Sequence, residues 1–210
     1  SLILIAIVIL FSSLTILSLP VLFNYESKVY KIEKKFYKNF KIYLNTGGKI
    51  SYKPFPKPHL LVENATLNLL KNDYEYNFIN TKNLKLFISL RDIYLRSFEN
   101  IISTEISNTN LEFTINDILE IRKHLYEKIN KQIKFINCKL FFRNKNSEVV
   151  LISPIEKITY KINTKSKTKN FFVNGNVFGI KYQSKWIRDF EFPKKSNHTI
   201  NLFNPNVEVI

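Results

Sequence analysis

The chain has 210 residues, 45% of them hydrophobic and 14% aromatic, which suits one domain with a packed core and argues against wholesale disorder. Thirty-two Lys and Arg stand against 17 Asp and Glu, a formal net charge of +15. One Cys excludes an internal disulfide framework and a Cys-rich zinc site, three His leave little for an imidazole-based centre, and four Gly argue against a glycine-rich phosphate cradle. The abundance of Lys, Asn and Ile matches codon bias in an AT-rich genome, so a Lys alone is no functional signal.

Residues 1–23 decide the compartment. Leu2 to Phe23 carry no charge, and a helix of that length, at about 1.5 Å per residue, spans roughly 33 Å, enough to cross a hydrocarbon core. The run exceeds the usual core of a signal peptide and no A-x-A-like cleavage site follows, so it reads as an uncleaved transmembrane anchor. Lys28, Lys31, Lys34, Lys35, Lys38 and Lys41 follow the span. The positive-inside rule alone would keep that flank in the cytoplasm, whereas long folded domains translocate largely regardless of charge. Charge therefore leaves the orientation open. The start at Ser1 and the strand-like ending at 206–210 read as those of a piece of a longer protein.

Residues 24–46 are expected to form a juxtamembrane amphipathic helix. Tyr25, Val29, Ile32, Phe36, Phe40 and Tyr43 recur at helical spacing with lysines between them. Such a stripe needs a protein surface to cover, and the alternative is contact with anionic headgroups.

From Gly47 the period falls to two, and residues 47–210 are expected to form a β-rich domain. Leu84, Leu86, Ile88 and Leu90 alternate with polar or outward residues, as do Leu111, Phe113 and Ile115. Ile136, Cys138, Leu140 and Phe142 are expected to share a face. So are Ile158, Tyr160 and Ile162, and then Val173, Gly175 and Val177. The pattern predicts an antiparallel sheet with one apolar and one wet face. One clear helix interrupts it: Thr114 and Asp117 form a capping-box pattern, and Ile118, Ile121, Leu125 and Ile129 continue at helical spacing to about residue 131. A shorter helix is expected within 91–99.

Chemistry is hard to place on this chain. His59, His124 and His198 lack metal-ligand spacing and read as surface or boundary residues. Cys138 falls on an apolar strand face, Asp189 and Glu191 are an isolated acidic pair, and no nucleotide-binding or nucleophile-elbow signature occurs. The expectation is a non-enzyme without cofactor or metal. The lysines are spread rather than clustered around a reading module, so the charge points to a surface near acidic lipid headgroups and not to nucleic acid.

The most distinctive run is Gly48, Ile50 and Tyr52, then Pro54, Pro56 and Pro58, then Leu60 and Asn64. Its prolines cannot sit inside a ladder, so it is a strand, a turn and a second strand centred on Asn64. With the preceding membrane helix and the regularly spaced strands after it, this run resembles the N-terminal region of the AsmA-like proteins, relatives of the TamB and chorein-type lipid bridges. The resemblance implies a single-pass anchor in the bacterial inner membrane and a mainly β periplasmic domain, a curled sheet with one or two packing helices. It implies an apolar groove serving phospholipid transfer to, or homeostasis of, the outer membrane. Leu84, Leu86, Ile88, Leu111, Phe113, Ile158, Tyr160 and Ile162 are the expected groove residues, with acyl chains, anionic headgroups and envelope proteins as partners. Two alternatives stand beside it: an LptC-like lipopolysaccharide-bridge component, which would lack the capped helix, and a membrane-tethered assembly scaffold. The apolar face would equally pack shut as an ordinary core under the two helices.

Overall fold

The computed structural model describes residues 2–71, 74–190, 196–203 and 206–209; Glu191 and Ile210 lie outside them. Helix α1 (Leu2–Ser18) continues through a 3-10 turn at Leu19–Leu22. Together they form the one helix, among the described residues, long and apolar enough to cross a membrane. No residue of α1 is buried against the rest of the chain. Within it, Thr15 donates its hydroxyl to the Phe11 carbonyl at 2.8 Å, which removes its polarity from lipid.

Helix α2 (Val29–Phe40) is shorter than the 24–46 expected. Lys41 takes a left-handed φ of 54° and its N–H bonds the Tyr37 carbonyl, which ends the helix. Tyr43–Thr46 are already a strand, β1, so the sheet begins before Gly47. The apolar stripe does what its spacing implies: Ile32, Phe36 and Phe40 are fully buried, with the Phe36 and Phe40 rings stacked at 4.6 Å. The apolar stripe of helix α2 therefore packs into the protein core.

The remaining elements are β2 (Ile50–Lys53), β3 (His59–Lys71), β4 (Tyr74–Ile88), α3 (Leu90–Tyr94), β5 (Ile101–Ser107) and β6 (Asn110–Thr114). They continue with α4 (Ile115–Lys128), β7 (Gln132–Arg143), β8 (Val149–Asn163), β9 (Thr168–Val177), β10 (Ile180–Asp189), β11 (Ser196–Phe203) and β12 (Asn206–Val209). All strands belong to one sheet, in the order β1-β3-β4-β5-β7-β8-β9-β10-β11-β12, with β2 beside β3 and β6 beside β7. The two outer edges do not pair, so the sheet is open.

The protein is mainly β, and its sheet is mixed rather than wholly antiparallel. β5 and β6 both run parallel to β7. The cause is α4, which carries the chain back along the sheet so that β7 starts at the same end as β5. α4 starts on the expected capping box: Asp117 N–H donates to Thr114 Oγ1 at 3.3 Å, and Thr114 N–H donates to Asp117 Oδ2 at 2.9 Å.

A crease crosses β3, β4, β7 and β8 and the junction between β5 and β6. On β3 the buried apolar residues run Leu60 and Val62, then Ala65, Leu67 and Leu69; on β4 the buried residues run Ile79 and Thr81, then Leu84, Leu86 and Ile88. One extra residue inverts the alternation in each, and the same inversion separates Ile106 from Thr109, Ile133 from Cys138, and Ile155 from Tyr160. Pairing aligns these points: Asn64 lies opposite Lys82, Asn108 bonds across to Ile136, and Asn137 lies opposite Glu156. Asn64, Asn108 and Asn137 take φ values of 52°, 54° and 52°, the left-handed region that Asn tolerates. The strand register runs unbroken through Asn64 and Asn137, so the inversions stay level from strand to strand, and along the crease a register shift appears only where β8 meets β9, between Ile155 and Lys157. Gly47 and Gly48 extend the crease between β1 and β2: Gly47 N–H bonds the Asn64 carbonyl at 3.2 Å, and a Cβ on Gly48 would stand 2.3 Å from the Glu63 carbonyl oxygen. Ile136, expected on one face with Cys138, Leu140 and Phe142, is cut off from them by the inversion at Asn137.

Candidate functional site

Two helices lie on the apolar face of the sheet, and they cover it unequally. Under α2 the packing leaves only a niche of about 40 Å³ beside Phe36. Leu84, Leu86 and Ile88, expected to face a groove, are 0%, 0% and 3% exposed. They belong to one continuous core with Ile32, Phe36 and Phe40, because the α2 stripe must bury itself on the nearest apolar strands. Those three residues are core, not groove.

Under α4 the packing leaves room. A cavity of about 300 Å³ lies between the helix and β6–β10, at the lower end of the range of small-molecule sites. Leu111 and Phe113 from β6, Ile158 from β8, and Phe171 and Val173 from β9 line the sheet side. Ile121 and Leu125 line the helix side. Tyr182 and Trp186 of β10 carry the apolar wall outward, and Arg122 of α4 lies over the Trp186 ring. Their β11 partners, Leu202 and His198, continue the same face. The expected groove residues Leu111, Phe113 and Ile158 thus meet in one place.

Tyr160 and Ile162 do not line the cavity. Tyr160 is a pillar: its ring is buried, and its hydroxyl donates to the carbonyls of Leu125 (2.8 Å) and Ile129 (3.0 Å) at the end of α4. Lys169 adds a bond to the Tyr126 carbonyl and one to Ile129 at 3.3 Å. These are carbonyls that a helix end leaves unpaired, so strands β8 and β9 hold α4 by its C-terminus. Burial, with Arg188 nearby, pushes the Lys169 amine below its usual range. Ile162 packs at the rim of the core.

The same device fastens α1. Tyr52 donates to the Leu17 carbonyl at 3.0 Å, and Tyr94 donates to that of Ile16. Phe23 meets the Tyr94 ring edge-on at 5.9 Å, with the Arg96 guanidinium 4.6 Å from the centre of the Phe23 ring. The motif around the prolines is therefore structural. Ile50, Tyr52 and Leu60 are buried, Gly48 and Asn64 form the crease, and Pro54 and Pro56 shape the turn between β2 and β3 beside the end of α1.

The histidines divide. His198 is exposed and stacked on Trp186 at 5.3 Å, but His59 is buried, bonded through Nδ1 to the Lys57 carbonyl at 2.7 Å, contrary to a surface reading. His124 lies between α4 and the end of α2, and burial lowers its pKa from the usual 6.5. Cys138 is buried, which raises its thiol pKa and suits a small packing residue. Among the described residues no three His, Cys, Asp or Glu side chains are grouped to hold a metal.

The sequence reading missed Phe171, Tyr182, Trp186 and Arg122, which complete the cavity. The alternation of Phe171, Val173 and Gly175 was a usable signal. Arg122 had none, since one charge on an amphipathic helix gives no hint of the ring it lies over.

No family model matches this chain. It is 30% identical over 101 residues to the DNA-directed RNA polymerase subunit alpha of Euglena longa, an alignment of 47% of this chain and 41% of that subunit. The chain thus spans about two-fifths of that relative's length. A match over less than half of either chain identifies no family.

Proposed function

We propose that this is a membrane-anchored, non-catalytic carrier of lipid acyl chains, of the AsmA-like kind. Its domain would lie on the periplasmic side of a bacterial inner membrane and serve phospholipid movement to, or homeostasis of, the outer membrane. The observation that carries the reading is the cavity under α4, whose wall continues onto the half-exposed apolar face of β9–β11, on a domain fastened to a membrane-spanning helix. Burying acyl chain there is worth about 0.8 kcal/mol per CH₂, so a chain is held without reactive groups. The capped α4 favours this reading over the LptC-like one, for which no such helix is expected.

Adjacent residues on β9 provide the test. Phe171 lines the cavity, whereas Phe172 faces the other side of the sheet, beneath Lys161 and Lys185. A photoreactive phenylalanine analogue at Phe171 of the full chain in membranes is expected to crosslink lipid, and the same analogue at Phe172 is not. Absence of lipid adducts at Phe171, or equal yields at the two positions, would sink the proposal.

A further inference from the structure

The apolar cavity carries two polar side chains on its helix wall, Arg122 and Tyr126, four residues apart on one face of α4. We infer that Arg122 and the Tyr126 hydroxyl form an anion subsite that holds the carboxylate or phosphate of an amphiphile whose acyl chain fills the cavity. This inference rests on the acyl-chain reading above.

Tyr126 supplies the first observation. It is only 8% exposed, it lines the cavity, and its hydroxyl has no hydrogen-bond partner. A buried hydroxyl left unpaired is costly, and an acceptor oxygen arriving with a ligand removes that cost. Arg122 supplies the second. It is the one charged side chain lining the cavity, and among the described residues no ion pair joins it to an acid. Its guanidinium lies 4.7 Å from the centre of the Trp186 ring, a stacked position that pre-orients the planar fork. Such a fork matches the paired oxygens of a carboxylate or phosphate better than an ammonium does.

The surroundings agree in sign. Arg188 lies over the Tyr126 ring at 5.1 Å, and both guanidiniums act to lower the phenol pKa against the burial that raises it. Lys169 stands beside them at the α4 terminus. Acidic groups are present too: Glu127 and Asp189 line a separate, more polar hollow that shares Tyr126 with the cavity. They neutralise the outer rim and are absent from the cavity wall. An apolar space with one cation and one unpaired hydroxyl on its helix wall fits an anionic amphiphile better than an uncharged or zwitterionic one.

Trp186 is the only Trp in the chain and lies in the cavity wall, which supplies a direct readout. The full chain in phosphatidylcholine nanodiscs is titrated with three brominated quenchers: stearate, lysophosphatidylglycerol and uncharged monoacylglycerol. All three are expected to quench Trp186, with at least one anion binding tenfold or more tighter than the uncharged compound. Arg122→Gln is expected to erase that preference, Arg122→Lys to restore part of it, and Tyr126→Phe to weaken it a few-fold. A preference for lysophosphatidylglycerol assigns the site to phospholipid phosphate, and one for stearate to a free fatty acid. Quenching equal for all three compounds, or a preference unchanged in Arg122→Gln, overturns the subsite while leaving the acyl cavity standing. No quenching by any of them overturns both.

Discussion

Leu84 and Leu86 on β4 are shut away beneath α2, whereas Phe171, Val173 and Tyr182, the inward residues of β9 and β10, are only partly covered. One sheet therefore carries two kinds of apolar surface. The first half meets a helix whose stripe of Ile32, Phe36 and Phe40 fills the space against it. The second half meets α4, which stands off far enough to leave a cavity lined out to Trp186 of β10. The lesson is that alternation along a strand reports which face is apolar, not whether that face is occupied. Occupancy is set by the partner helix, and only coordinates show how closely it approaches.

Truncation separates the halves most strongly. Leu86→Ala removes side-chain atoms from a fully buried site with no slack, and a loss of about 2–5 kcal/mol is expected. Val173→Ala enlarges a space that already exists, and less than about 1 kcal/mol is expected because few packing contacts are lost. Denaturant unfolding of the two variants, compared at equal slope, checks this. Equal losses would mean that the second half is packed as tightly as the first.

The crease comes next. In Gly48→Ala the new methyl would meet the Glu63 carbonyl, which is backbone and cannot swing aside. A cost of about 1–3 kcal/mol is expected from the forced shift. Hydrogen exchange should rise in β2 and β3 first, with β9 and β10 unchanged. A uniform rise across the sheet would mean that the crease binds both halves into one cooperative unit.

Tyr160→Phe loosens α4 at its C-terminal end by removing the shared bond to the Leu125 and Ile129 carbonyls. The expected cost is about 1–2 kcal/mol. Amide exchange should rise over the last turn of α4 and not in α2. An equal change in both helices would indicate that they respond as one lid.

Much of this was legible beforehand, for identifiable reasons. The α1 span needs only an uncharged run, the α2 stripe needs only spacing, and the α4 cap needs only Thr114 and Asp117 three residues apart. The mixed strand direction was not legible, because periodicity carries no sign along the chain; it follows from α4 returning the chain between β6 and β7. The crease was hidden for a different reason. Each inversion adds one residue, and Asn at 64, 108 and 137 looks like any other Asn in an Asn-rich chain until the left-handed φ is seen. Of the residues expected to face a groove, Leu111, Phe113 and Ile158 line the cavity under α4, and alternation was the signal that grouped them. Leu84, Leu86 and Ile88 alternate equally well yet are closed into the core, and nothing local to β4 reveals that closure.

The smallest effect belongs to the seam between the halves, where His124 of α4 shares a buried niche with Phe36 of α2. Burial disfavours its charged form, opposed by the carbonyls of Phe40 and Lys41 and by Glu127, and aided by Lys128. Its folded pKa lies below the usual 6.5, so above that pH the ring is neutral in both states and contributes no slope. As the pH falls through 6.5 the unfolded chain takes up the proton first, and stability drops until the folded pKa is passed. The melting temperature should therefore fall modestly on acidification from pH 7.5 to 5.5, and His124→Gln should flatten that slope. Because the niche touches both helices, the loss should appear as faster exchange at the facing turns of α2 and α4, before any change in β9 or β10. Faster exchange confined to α4 would place the histidine within one half, and the two covers would then be independent.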